Sequence, residues 1–158
     1  MKNALVIGGA RSGSGAALLL KHLGYNVVLV TRDDFDKRKE LEDGGIEVIL
    51  DDADTDRFDH FDLVVKNPGI PNDHPLVKRF KTVLNEIDLA FRFHSQGLYY
   101  AVSGTNGKTT TTSILYEMLK RKNKSAVLAG NIGVSLSEVV VETKDIPIDV
   151  AIEISAFK

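Results

Sequence analysis

A chain of 158 residues with 43% hydrophobic side chains can bury one ordinary core or two small ones. Its formal net charge of -2 supplies neither the basic surplus of a nucleic-acid binder nor a polybasic membrane segment, and no apolar run reaches bilayer length. It has no cysteine, which excludes disulfide and thiolate-metal chemistry and fits a cytoplasmic setting.

The N-terminus runs from Lys2 into NALVIGG, too short for a signal-peptide core and closed by glycines, so it reads as a strand followed by a turn. ALVIG, VVLVT, IEVIL and DLVVK are short β-branched runs of the kind buried on both faces of a parallel sheet. Between the first two, SGAALLLKHLG places Leu18, Leu19 and Leu23 at helical spacing before Gly24 stops the helix. Between the next two, FDKRKELEDGG has a charged face and ends at Gly44 and Gly45. Strand, helix and strand in this rhythm predict a parallel α/β sheet with right-handed crossovers.

GGARSG, Gly8 to Gly13, is an incomplete dinucleotide fingerprint, because Ala10 stands where G-x-G-x-x-G has its second glycine. VVLVT closes with Thr31 and Arg32 before Asp33, so no acid ends the second strand. Both departures count against a NAD-dependent oxidoreductase. Close packing of helix on strand is the alternative role for these glycines. NPGIPNDHP, with three prolines and one glycine, reads as a rigid turn in which Gly69 is a candidate for positive φ. In VLNEIDLAFRF, Asn85 is placed to cap a helix whose Ile87, Leu89, Ala90 and Phe93 face inward.

A boundary near Phe93 to Gly97 divides the chain into residues 1–93 and 94–158. The second part repeats the scheme with strand LYYAVS, helix SILYEMLKRK, strand SAVLAG, helix SLSEVVVE and strand DVAIEIS. His22, His60, His74 and His94 have no spacing that suggests a metal site.

SGTNGKTTTT joins the first strand and helix of the second part. A glycine turn leading into a helix N-terminus presents unpaired amides and the positive end of the dipole, which together cradle phosphates. Gly104 and Gly107 let the backbone approach, Lys108 can reach the outer phosphates, and the Thr109 hydroxyl can ligate magnesium. Val102 stands where the longer P-loop pattern has glycine, so G-T-N-G-K-T-T is the form to compare, and a chance glycine turn is the bland alternative. Glu153 ends a strand, where its carboxylate could emerge at the ligand-binding edge of the sheet or remain a core-edge acid. Asn131 in AGNIG admits a simple turn role.

SGTNGKTTTT resembles the ATP loop of the Mur ligases, the amino-acid-adding enzymes of peptidoglycan synthesis, and of the related folyl-polyglutamate synthases. Asn106 leans away from the alanine-adding branch. VVKNPGIP, NEIDLAFR, AGNIG and IEISAF resemble, in order, the V-x-S-P-G-I-P, S-E-I-E-L-A, G-N-I-G and E-x-S-S-F segments of the D-glutamate-adding branch.

The resemblance implies an α/β chain: a Rossmann-like N-terminal domain with a parallel sheet over residues 1–93, then the start of a P-loop ATPase-type domain over 94–158. It implies ATP and magnesium as cofactors, and UDP-N-acetylmuramoyl-L-alanine and D-glutamate as substrates of an amide ligation through an acyl phosphate. Gly104, Thr105, Asn106, Gly107, Lys108, Thr109 and Thr110 would hold ATP. Lys108 would be the charge clamp, and Thr109 with Glu153 would hold magnesium. Arg11, Ser12 and Gly13 would approach the nucleotide, with Thr31 and Arg32 along its edge; Asn67, where the family has serine, and Gly69 would lie near the UDP-sugar, and Asn131 on the substrate side of the phosphates.

The family also continues into further domains, and Lys158 stands where it has glutamine. The chain is therefore expected to be an N-terminal portion that binds without turnover, its last strand left at an open edge. A non-catalytic module that binds ATP but no UDP-sugar is the rival reading.

Overall fold

The computed structural model describes residues 2–51, 58–94, 96–143 and 146–155. The β-branched runs form β1 (Asn3–Ile7), β2 (Asn26–Val30), β3 (Glu47–Ile49) and β4 (Leu63–Lys66), joined by a short β5 (Leu84–Asn85). They pair in parallel in the order β3-β2-β1-β4-β5, which follows the first five strands of a doubly wound nucleotide-binding sheet. Ala4, Leu5, Val6 and Ile7 of β1 are all buried, as a central strand covered on both faces requires.

Helices α1 (Arg11–His22), α2 (Arg38–Asp43), α3 (Pro75–Lys78) and α4 (Glu86–Phe93) belong to this first part. The inward face of α1 is Ala16, Ala17, Leu19 and Leu20, with Leu18 partly buried. Leu23 is the exposed C-cap, because the helix stops at His22 and Gly24 takes a positive φ. Asn85 caps α4 as the sequence suggests, its Oδ1 accepting the Asp88 N–H at 2.9 Å. Phe93 is 40% exposed rather than inward. The helix ends there, and the extended backbone at the next residue turns the His94 ring inward against Tyr99 and Thr143 in its place.

The second part holds β6 (Leu98–Val102), α5 (Lys108–Lys122), β7 (Val127–Gly130), α6 (Leu136–Thr143) and β8 (Asp149–Glu153). Its sheet has the order β6-β8-β7. The expectation that the last strand lies at an open edge is overturned: β8 is the central strand and buried along its length. The crossover through α5 carries the chain past one strand position, and β8 later fills it. Of IEISAF, residues 152–155 are described; residues 156–158, with the Lys158 departure, lie outside the described residues.

Helix α6 packs on α1 and α4, so a single apolar cluster runs from Val6 and Leu20 through Leu89 to Leu136, Val139 and Ile152 and joins the two sheets. Separate clusters cover the opposite faces, around Phe58 and Leu76 on the first sheet and around Leu119 and Ala151 on the second.

Candidate functional site

The switch point of the first sheet lies between β1 and β4, where successive crossovers leave on opposite sides and their loops part into a crevice. Three adjoining cavities occupy this edge. One of about 210 Å³ is lined by Gly8, Thr31, Arg32, Pro71 and His74. The next, about 330 Å³, shares Gly8 and Thr31 with it and adds Ala10, Phe35, Asn67 and Gly69. The widest, about 570 Å³, shares Ala10, Asn67 and Gly69 and continues to Arg11, Ser12, Gly130, Asn131 and Ser155. They form one groove that starts at the β2 end of the first sheet and reaches the ends of β7 and β8 in the second.

Seven of the eight residues that the resemblance placed near the substrate line this groove. Thr31 and Arg32 lie at one end, Asn67 and Gly69 in the middle, and Arg11, Ser12 and Asn131 at the other. Gly69 does not take a positive φ, contrary to expectation. The turn is held instead by Asn67, whose Oδ1 accepts the Gly69 N–H and whose carbonyl accepts the Ile70 N–H, each at 2.9 Å.

Gly13 is buried and lines none of these cavities; a Cβ there would stand 1.8 Å from the Gly8 carbonyl oxygen, so its role is to let α1 sit on the turn after β1. Arg11 Nη1 donates to the Gly133 carbonyl at 3.0 Å, which ties the start of α1 to the loop between β7 and α6. Phe35, Pro68 and Ser155 also line the groove. Only the alternation of loop and strand could have pointed to them.

The glycine loop of SGTNGKTTTT leaves β6 and enters α5 at Gly107, whose φ of 74° at the N-cap explains a glycine there. Thr105, Asn106, Thr109 and Thr110 are exposed, Gly104 and Lys108 half-buried. Lys108 Nζ donates to the Gly104 carbonyl at 2.8 Å, so the ammonium lies folded over its own loop. The amides of the first turn of α5, with the positive end of a 15-residue helix behind them, suit an anionic ligand.

Glu153 pairs in register with both Val102 and Gly130, which puts it at the strand ends that lead into the glycine loop and into the AGNIG turn. It is 4% exposed, and its Oε2 has no hydrogen-bond partner among the described residues. A buried carboxylate oxygen without a donor is costly, and a hard cation relieves that cost. Glu153 and the Thr109 hydroxyl both offer the oxygen donors that magnesium prefers. Asn131 is fixed beside Glu153: its N–H donates to the Glu153 carbonyl at 3.0 Å and its Nδ2 to Ser155 Oγ at 2.9 Å.

Comparison with known proteins bears on this arrangement. Residues 102–155 match the Mur ligase middle domain. The chain is 43% identical over 151 residues to UDP-N-acetylmuramoylalanine--D-glutamate ligase of Geobacillus kaustophilus, an alignment covering 90% of this chain and 33% of that protein. It is 41% identical over 165 residues to the protein of the same name from Staphylococcus carnosus, covering 99% and 36%. A crystal structure of UDP-N-acetylmuramate-alanine ligase MurC from Thermotoga maritima superposes with a TM-score of 0.55 at 27% identity, over 80% of this chain and 31% of that one. The chain thus spans about a third of the length of the curated relatives it matches.

Proposed function

This chain belongs to the Mur ligase family, and from that premise we propose that it supplies the UDP-sugar groove and the ATP loop of a ligase that adds D-glutamate to UDP-N-acetylmuramoyl-L-alanine. Residues 1–93 are the UDP-substrate domain and residues 94–158 the start of the ATP domain. The continuity of the groove carries the reading. An elongated UDP-sugar laid from Thr31 and Arg32 toward Arg11, Ser12 and Asn131 brings its far end, the L-alanine carboxylate, toward the phosphate loop.

The γ-phosphoryl group of ATP passes to that carboxylate, releasing ADP and giving an acyl phosphate. The D-glutamate nitrogen then attacks the acyl carbon, and the tetrahedral intermediate expels inorganic phosphate. Transfer of this kind depends on positioning and on neutralising phosphoryl charge. Lys108, released from Gly104, reaches the outer phosphates, while the amides of Gly104 to Thr110 hold the others. Thr109 and Glu153 would hold magnesium, which when bound supplies charge neutralisation on the phosphates. These substrates assign the protein to the cytoplasm; no helix among the described residues is long and apolar enough to cross a membrane.

Calorimetric titration with UDP-N-acetylmuramoyl-L-alanine, then with magnesium-ATP, tests the reading. Saturable sugar binding weakened by Arg11→Ala or Ser12→Ala is expected. ATP binding without sugar binding would move the assignment to a nucleotide-binding module. Turnover is assigned to the whole ligase, so D-glutamate-dependent phosphate release by residues 1–158 alone would overturn that part.

A further inference from the structure

Glu86 is an acid in the shared core, 2% exposed on the first turn of α4. Its carboxylate crosses to the second part of the molecule and accepts the backbone N–H of Ser137 at 2.5 Å, in the first turn of α6. Burial pushes its carboxyl above the usual range, against the pull of its bonds to Ser137. An apolar side chain would fill this space without a buried charge, so what the acid contributes is a directed bond between the two sheets.

The segment it grips leads directly into the groove. Between β7 and α6 lie only residues 131–135, and the loop is folded tightly: Val134 N–H donates to the Leu128 carbonyl and Gly130 N–H to the Val134 carbonyl. Gly133 abuts the same Leu128 carbonyl so closely that a Cβ would stand 2.1 Å from it. So compact a connection has no slack to absorb a displaced helix end, and a shift of the start of α6 is passed to Asn131.

We propose that Glu86 is a positioning residue for the sugar end of the groove: its acceptor oxygen fixes the start of α6 and, through the loop 131–135, holds Asn131 opposite Arg11 and Ser12. The proposal rests on the UDP-sugar reading of the groove for its effect on binding, but its mechanical content stands apart from that reading.

The test combines ligand titration with amide exchange. Glu86→Ala is expected to bind UDP as the parent does, since Asn131 lies at the far end of the groove from Thr31 and Arg32, and to bind UDP-N-acetylmuramoyl-L-alanine about tenfold more weakly. Amides of residues 131–138 should exchange faster in that variant while those of β1 and β2 do not change. Glu86→Gln, which keeps an acceptor, should restore both. Where the alanine variant does not fold, Glu86→Asp, which retracts the oxygen by one methylene, is expected to show the same split. Equal weakening of both ligands in a folded variant, parent-like sugar affinity with parent-like exchange in 131–138, or a glutamine variant as impaired as alanine would each overturn the proposal. Failure of the parent to bind either ligand would refute the groove reading instead, and amide exchange would still decide the role of Glu86.

Discussion

Gly15 sits inside α1 where that helix crosses the start of α6, and Gly15→Ala tests how the two sheets are joined. In an exposed helix the change would add up to about 1 kcal/mol of stability through propensity. Here the new Cβ would stand 1.9 Å from Ser135 Oγ and 2.8 Å from Ser135 Cβ. Rotating the hydroxyl away does not relieve the second contact, so α1 and α6 must separate. Overpacking of this kind costs about 1–3 kcal/mol.

The shift also strains the bonds in which the Ser135 N–H and hydroxyl meet Glu138 Oε2 at the head of α6, a loss of about 1 kcal/mol. The balance is a destabilisation of about 1–3 kcal/mol, opposite in sign to the propensity effect. In a chain of this size that lowers Tm by about 3–9 °C. Urea melts of the parent, Gly15→Ala, Ser135→Gly and the double variant form the assay, with the double variant recovering much of the loss. A Gly15→Ala protein as stable as the parent, or additivity in the cycle, would refute the close crossing of α1 and α6.

Further outcomes follow from the same geometry. Ile152→Ala, in fully buried β8, should cost about 2–5 kcal/mol in urea melts, whereas Leu98→Ala on the edge strand β6, 63% exposed, should stay within about 0.5 kcal/mol. Burial raises the Glu138 carboxyl, but Lys37 and Ser135 together outweigh it and leave it below 4.5. Its stabilising contribution is therefore present above that value and lost as pH falls through the folded-state value, so the deficit of Glu138→Gln at pH 7 should shrink on acidification. Glu86 has the opposite sign: its contribution is full below 4.5 and lost as pH rises through its raised value, a loss absent from Glu86→Gln. Glu153→Gln should leave the unliganded protein no less stable but abolish most of the Tm rise given by magnesium-ATP; an undiminished rise would remove Glu153 from the metal site.

The strands and long helices were legible because β-branched runs and helical periodicity are local properties. The turn into α5 was legible because the positive φ that Gly104 and Gly107 adopt is a property of neighbouring backbone. Elements as short as α3 and β5 carry too few residues for a period. The central place of β8 was not legible, since sheet order is set by which strands meet in space. Glu86 reads in sequence as an ordinary first-turn acid favoured by the helix dipole, and only the approach of α6 reveals that it is buried. Likewise Gly13 and Gly8 look alike in GGARSG, yet one is a packing contact and the other lines the groove.

The position of β8 also sets an order of events during synthesis. β6 and β7 pair with β8 and not with each other, and the partner of Leu98 is Asp149, far later in the chain. As the polypeptide emerges, the first sheet can close at once, and α6 can dock on it through α1 and α4. β6 and β7 meanwhile expose unpaired backbone until β8 arrives between them. β8 thus inserts into a waiting slot between β6 and β7, and a ribosome paused before residue 149 would hold two adhesive edges open at once.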